Sequence, residues 1–454
     1  MDLKDTDIQQ QSLITPDMLE VYQQPRTYRN RRIGRGNGVK SHIFYWSKRS
    51  SRSKRVIVIT AIMLTLITSV LIFVVSYTGS SPIHPGHEMK FNSPPLLGGQ
   101  ERLRMVHMVL RHGARTPADT YPNDPHINQT FYPYGWGQLT NDGKYSLFNI
   151  GKWAHKRYQN LVGDVYDSKV IHAQSTGVTR TQMSIALVLA GLWEPHGTPL
   201  DWNPALNWQP IPYSYEELDK DTLLLVRTSC PRYHEELERV LNSGDIKQIM
   251  ERNKPLFDEL TNITGLHIKT PDDVQSLYST LKAEEEFGLD LPQWTKLYFP
   301  YRLQELTDLS YTLNVHNDEL KKLKGGPFLK KMLNEWKMTA NKTENLKKMY
   351  LYVGHDSTVV NILSAFNAWE PQFPDYTTMA VFELYENQKT GRYSVQILLN
   401  KPKQPTQVLS IPGCESPCPL DKLESLLKNH IPSNLTTECQ SIDATFTEPP
   451  PRGP

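Results

Sequence analysis

Two short clusters, far apart in the chain, carry residue types suited to one chemistry: Arg111-His112-Gly113-Ala114-Arg115-Thr116-Pro117 and His355-Asp356. Phosphoryl transfer from a monoester needs a nucleophile in line with the leaving oxygen, cationic donors around the equatorial oxygens, and an acid to protonate the departing alkoxide. In the RHGxRxP pattern His112 supplies a ring nitrogen that can attack, and Arg111 and Arg115 supply planar forks that match phosphate oxygens. Gly113 is read as letting the backbone pass close to a bound anion. Asp356 can supply the acid. A basic turn after a buried strand is the competing reading, but five fixed positions coincide by chance with odds on the order of 1 in 10⁴ in a chain of this length.

Both clusters begin where a strand pattern stops. Residues 105–110 form a short apolar run of strand type, and residues 349–353 form another, punctuated by Gly354. Helical spacing of Val359, Val360, Leu363 and Phe366 follows over residues 357–368. Ligands of open α/β sheets bind at the carboxyl ends of strands, so two such ends could bring His112 and Asp356 face to face.

A phosphoryl group has three equatorial oxygens, so a third cation is needed. Residues 168–173 read as a strand, and Gln174-Ser175-Thr176-Gly177-Val178-Thr179-Arg180 leads into an apolar helix over 183–192. With Thr176 as N-cap, Arg180 falls in the first turn, beside free backbone N–H groups that favour an anion. Spacing alone favours an exposed helix arginine.

Taken together, these residues resemble the histidine acid phosphatases, in particular the prostatic, lysosomal and insect acid phosphatases. The resemblance runs from about residue 103 to 439. It also takes in Gly137-Gln138-Leu139-Thr140 with Gly143, Trp208-Gln209-Pro210-Ile211-Pro212, Cys230-Pro231-Arg232-Tyr233, Gly325-Gly326, Glu383-Leu384-Tyr385, and Pro412-Gly413-Cys414 followed by Cys418-Pro419-Leu420. It implies that His112 becomes phosphohistidine, that Arg111, Arg115 and Arg180 clamp the phosphate, that His355 donates to a phosphate oxygen, and that Asp356 protonates the leaving group and then helps water attack. The chain departs from the resemblance at Ala114, where many animal members carry Asp, and over 174–180, where they read RSTDVDR. The phosphate-contacting side chains survive both changes; the charge network around them does not.

The fold class implied is α/β, a mostly parallel central sheet flanked by helices, with an inserted helical subdomain and one preceding transmembrane helix. Residues 1–55 lack any core-forming pattern and read as a disordered cytosolic tail whose basic half can touch anionic lipid. From Arg26 to Arg55 there are eleven Lys or Arg and no acidic residue, and residues 56–75 are then uncharged and mostly apolar. As a helix these twenty residues span about 30 Å, the thickness of a bilayer core. The basic flank, Lys48, Arg49, Arg52, Lys54 and Arg55, keeps the amino terminus cytosolic and the remainder luminal or extracellular. A core helix would seldom be apolar on every face, and a signal peptide rarely follows so long a leader; the main alternative to an uncleaved anchor is cleavage near 76–81.

Residues 76–100 read as a linker, 101–212 and 308–440 as the two parts of the α/β core, 213–307 as a helical cap that shapes the leaving-group pocket, and 441–454 as a disordered Pro-rich tail. Sequons at Asn128, Asn262, Asn341 and Asn434, and all four cysteines, lie past the apolar segment, as a compartment permitting glycans and disulfides requires. Four cysteines allow three pairings. Cys414 and Cys418 suit a local closure, which leaves Cys230 for Cys439, and the resemblance implies the same pairs; a zinc site would need ligand spacing that is absent here. No metal or cofactor is expected, because three arginines and His355 provide the charge a metal ion supplies elsewhere. The formal net charge of +2 gives no reason to expect nucleic-acid binding. His84, His87 and His107 read as linker or core residues, and Glu383 as a core carboxylate with a minor claim to catalysis. The expectation is a type II membrane-anchored acid phosphatase acting on a small phosphomonoester or a phosphoprotein, as a monomer or homodimer. The alternatives are a phytase or inositol-polyphosphate phosphatase, and a non-catalytic surface receptor on the same fold.

Overall fold

Strand β1 (Glu101–Arg111) is buried on both faces from Met105 onward, as a strand between two helical layers must be. It heads a computed structural model that describes residues 93–226, 228–343 and 346–450 and the single residue Met63. The chain divides into two compact units, Met1–Pro82 and Ile83–Pro454; apart from Met63, all described residues lie in the second. The expected span 56–75 and the tail 1–55 thus fall, save Met63, outside the described residues. Among the described residues no helix is long and apolar enough to cross a membrane.

After β1 the chain runs through α1 (Asn141–Val162), β2 (Ile171–Thr176), α2 (Thr179–Leu192) and β3 (Ser214–Glu216). A helical stretch follows: α3 (Pro231–Leu241), α4 (Gly244–Thr264), α5 (Pro271–Phe287), α6 (Thr295–Tyr298), α7 (Tyr301–Asn314), α8 (Asp318–Lys324) and α9 (Gly326–Ala340). The chain returns to the sheet with β4 (Met349–Gly354), α10 (Asp356–Ala365), β5 (Met379–Asn387), β6 (Tyr393–Asn400), β7 (Gln407–Leu409) and β8 (Cys418–Pro419), and ends with α11 (Leu420–Leu427) and α12 (Leu435–Glu438).

The sheet order is β3-β2-β4-β1-β5-β6-β7, with β8 also on β6. β3, β2, β4 and β1 pair in parallel, whereas β5 to β8 pair antiparallel. The expectation of a mostly parallel sheet is therefore corrected to a mixed one. The reason is local: β5 and β6 are joined by a short turn containing Gly391 at φ 65°, and a hairpin can only pair antiparallel.

Alternation along β1 divides the core. Met105 and Val109 face Phe328 and Trp336 of α9 and Val359 of α10, while Val106, Met108 and Leu110 face Leu147 and Ile150 of α1 and Ile185 and Val188 of α2. The helical stretch has a core of its own, including Leu260, Leu277, Leu303 and Tyr311, which meets Val360 of α10. Two expected boundaries shift. β3 pairs with β2 and so belongs to the sheet, and residue 307 lies inside α7.

The disulfides are Cys230–Cys439 and Cys414–Cys418. Residues 441–450 form no helix or strand, yet they are not loose: Glu235 accepts from the backbone N–H of Ile442 and Asp443, and Glu448 accepts from the N–H of Cys230. Buried residues set aside as structural behave so. Glu383 is enclosed by Arg157, Tyr158 and Tyr385, midway along β5 and away from the strand ends. His107 bonds Glu335 at 2.8 Å and stacks on Tyr350.

Candidate active site

Parallel register does most of the assembly. Arg111 pairs with Gly354 across β1 and β4, so the next residues out, His112 and His355, emerge side by side. The His112 N–H donates to the Gly354 carbonyl at 2.9 Å, and the two rings stand 5.5 Å apart, edge to face. β2 lies on the other side of β4, so Thr176 at its end reaches Nε2 of His355 at 3.0 Å. Three parallel strands thus deliver their carboxyl ends to one place.

Two glycines make this close approach possible. A Cβ on Gly113 would stand 2.8 Å from the Gly143 carbonyl oxygen in the first turn of α1, and one on Gly354 would overlap the Thr358 hydroxyl. Gly113 is therefore needed to seat the motif loop against a helix, not against an anion as the motif alone suggests. The Gly137–Thr140 stretch completes that wall: Arg115 bridges Leu139, the Thr116 N–H donates to the Gln138 carbonyl, and Thr140, which caps α1, donates through its N–H to the Ala114 carbonyl.

All six expected residues converge. Arg111 is 2 % exposed; its guanidinium donates to the Pro374 carbonyl, meets the Asp356 carboxylate at 3.0 Å, and lies over the rings of Tyr376 and Phe373 at 4.4 and 5.0 Å. Arg115 stands 6.0 Å from the same Tyr376 ring, and that ring lies 5.5 Å from His112. Arg180 is buried on α2 and reaches Nδ1 of His355 at 3.4 Å. The helix start differs from expectation: Val178 is the N-cap, without a side-chain bond, because Thr176 completes β2 and its hydroxyl is committed to His355 and Thr181.

The His112 tautomer follows from its partner. Nδ1 lies 2.9 Å from the Gly113 carbonyl oxygen, which can only accept, so Nδ1 carries the proton and Nε2 keeps its lone pair. Burial, together with Arg180, Arg111, His355 and Arg115, holds the imidazole well below its ordinary range, so it stays neutral in acid. Arg180 is itself lowered to about 10, by burial and then by Arg115, which leaves two like charges poorly compensated until an anion arrives. At Asp356 burial pushes the carboxyl up, but Arg111, His355, the Ser357 N–H and a Tyr311 hydrogen bond outweigh it, and the group titrates below the usual carboxylate range. Since Arg180 can only donate, Nδ1 of His355 accepts, and Nε2–H donates to Thr176.

Two contributors were not foreseen. Tyr376, in the loop before β5, places its ring against Arg111 and His112, and Tyr311 comes from the helical insert. Nothing in one sequence marks either tyrosine, because each joins the site through the packing of a distant segment. Of the departures, Gly177 has a reason: a Cβ there would stand 2.9 Å from the Glu216 carbonyl oxygen of β3. Nothing in the structure explains Ala114.

Residues 102–400 match the model of the histidine phosphatase superfamily (branch 2). The chain is 36% identical over 349 residues to the venom acid phosphatase of Apis mellifera, covering 76% of this chain and 89% of that protein. It is 33% identical over 350 residues to the human prostatic acid phosphatase, covering 76% and 89%, and 32% identical over 343 residues to the human lysosomal acid phosphatase, covering 74% and 80%. Among solved structures, Hafnia alvei phytase in complex with myo-inositol hexakis sulphate superposes with a TM-score of 0.58 at 16% identity, covering 76% of this chain and all of that one; that likeness is one of fold.

Proposed function

The chain belongs to branch 2 of the histidine phosphatase superfamily and is an acid phosphatase hydrolysing phosphate monoesters, and from that premise we propose how its residues divide the work. Nε2 of His112 attacks phosphorus; the P–O bond to the leaving group breaks, and Asp356 gives its proton to the departing oxygen. Water then attacks the phosphohistidine while the Asp356 carboxylate takes its proton, the P–N bond breaks, and the electron pair returns to Nε2. The observation that carries this reading is the His112 tautomer, which leaves Nε2 as a neutral lone pair among cations.

Arg111, Arg115 and Arg180 hold the equatorial oxygens. His355, whose side chain also accepts from the backbone at the start of α10, supplies its Nε2–H toward a phosphate oxygen. Asp356 rests as a carboxylate paired with Arg111; the incoming anion competes for Arg111 and raises the carboxyl, so a monoanionic substrate brings in the proton that Asp356 later delivers. Residues around the pocket favour simple or aryl monoesters over inositol polyphosphates. Tyr376, Phe373 and Tyr311 surround Arg111, and Lys282, which pairs with the Asp375 that also faces Arg111, is neutralised by Glu286 at 2.9 Å and Asp375 at 3.7 Å.

Rapid-quench trapping tests the assignment. Wild-type enzyme and Asp356→Asn should accumulate acid-labile, base-stable phosphoenzyme from an activated aryl ester, and His112→Ala should give none; phosphoenzyme in His112→Ala would overturn it.

The location we propose is a single-pass type II one, with residues 56–75 in the membrane and the catalytic unit luminal or extracellular. The basic flank of that segment, the two disulfides and the exposure of Asn128, Asn262, Asn341 and Asn434 support it. Protease treatment of sealed microsomes should trim only about 55 residues and leave a glycosylated core. A homodimer is supported by edge strand β3, on which Tyr215 is exposed, and by Trp202 and Trp208 exposed on the segment leading into it.

A further inference from the structure

We propose that Thr181 and Ser184, one turn apart on α2, are positioning residues that hold the two site histidines in register with Arg180. The proposal rests on His112 acting as nucleophile and on His355 donating to phosphate. Both side chains are fully buried, in a helix that is apolar from Ile185 to its end. A hydroxyl without a partner is costly in such a place, so where each one bonds is informative. Ser184 donates to the Arg180 carbonyl at 2.6 Å and accepts from the Gly113 N–H at 3.3 Å. The Gly113 carbonyl accepts from Nδ1 of His112 at 2.9 Å. One serine therefore joins the backbone of the third clamp arginine to the residue that fixes the nucleophile's tautomer.

Thr181 does the same for His355 through a second hydroxyl. Its oxygen lies 2.6 Å from the Val178 carbonyl and 3.1 Å from the Thr176 carbonyl, groups that can only accept, so its single proton is spent there. Thr176 must then donate to Thr181 across their 2.7 Å contact, which turns a lone pair toward Nε2 of His355 at 3.0 Å. The chain of bonds runs one way, from the imidazole N–H through two hydroxyls to a backbone carbonyl, and such chains strengthen each member. On its other side the His355 ring accepts from the backbone N–H of Thr358 and from Arg180. The ring is thus pinned at both nitrogens before any phosphate arrives, and Nε2–H waits on Thr176 until a phosphate oxygen takes it. Arg180 adjoins Thr181 in the chain, so α2 supplies one clamp residue and sets two histidines against it.

The test uses Ser184→Ala, Thr181→Val and Thr181→Ser in the full-length enzyme, with two readouts. The first is NMR of the ring N–H groups after ¹⁵N-histidine labelling, assigned with His112→Ala and His355→Ala. Thr181→Val should speed solvent exchange of the His355 Nε2–H, and Ser184→Ala should shift the His112 Nδ1–H. The second readout separates rate from binding. Ser184→Ala should slow phosphoenzyme formation per active site about tenfold, because the nucleophile is no longer held in line, with inhibition by inorganic phosphate changed less than about twofold. Thr181→Val should weaken phosphate inhibition about fivefold, because binding must now order the His355 ring, and Thr181→Ser should restore it. Unmoved ring N–H signals, or a per-site rate and an inhibition constant within about twofold of wild type, overturn the proposal. A loss confined to burst amplitude reports fewer folded sites and overturns it as well. If His112→Ala still forms phosphoenzyme, the nucleophile reading has failed, and the ring N–H signals alone decide whether α2 positions these histidines. Should Ser184→Ala not fold, Thr181→Val with Thr181→Ser as its rescue carries both readouts.

Discussion

The sheet half and the helical insert face the same phosphate site and are built on opposite principles. On the sheet side the reactive groups are cationic or nucleophilic and are held by backbone register: β1 and β4 fix His112 beside His355, and the Gly113 and Gly354 contacts leave no room for adjustment. On the insert side the contribution is aromatic or neutralised, and it is held by side-chain pairs between helices, such as Asp272 with Ser310 and Asn314. The difference teaches where sensitivity lies. Chemistry should fail when the sheet side is changed, whereas selectivity and pH response should move when the insert is changed.

The sharpest way to break this division is His112→Ala, which should cost at least about 10⁴-fold in kcat, since no nearby group can replace an in-line nucleophile. Steady-state hydrolysis of an aryl phosphate measures it, and more than a trace of activity would remove His112 from its role. Asp356→Asn comes next. Alkyl phosphates should lose about 10²- to 10⁴-fold, the range general acid catalysis contributes, while the first burst with an activated ester falls far less. Equal losses would make Asp356 a binding group and move the acid elsewhere.

A third prediction concerns the insert where it meets the core. Glu284 of α5 is 1 % exposed, and burial followed by its neighbour Asp124 raises its carboxyl to about 8. A carboxyl raised on folding adds stability that is fully present below its unfolded value and lost as pH climbs to the folded one. The unfolding free energy should therefore fall by up to about 1.4 kcal/mol per pH unit from roughly pH 4.5 to 8. Glu284→Gln should flatten that dependence in denaturant melts at several pH values; an unchanged slope would exclude the pair as its source. The smallest effect is expected at Lys282. Because its charge is already taken by Glu286 and Asp375, Lys282→Ala should change kcat/KM for aryl phosphates less than about fivefold. A large selective loss toward an inositol polyphosphate would favour the phytase reading.

The convergence of the site was legible to a useful degree. His112, Arg111, Arg115, His355 and Asp356 could be read from one sequence because each follows a strand-like run directly, and the parallel pairing of two such runs leaves their ends little choice of neighbour. Arg180 needed the resemblance, since spacing could not say which way a first-turn arginine faces. The antiparallel half was not legible in the motifs, because it is set by the β5–β6 hairpin turn at Gly391, outside the strand–helix units that carry the site.

Local sequence determined the reactive residue types, the strand ends that carry them and the glycines that permit tight approach, since these depend on residues adjacent in the chain. Only the tertiary structure decided that Gly113 serves Gly143, that Thr176 binds His355 instead of capping a helix, and that Tyr311 and Tyr376 enter the site. Each of those contacts joins segments tens to hundreds of residues apart, and its existence depends on how whole helices pack rather than on any pattern along the chain.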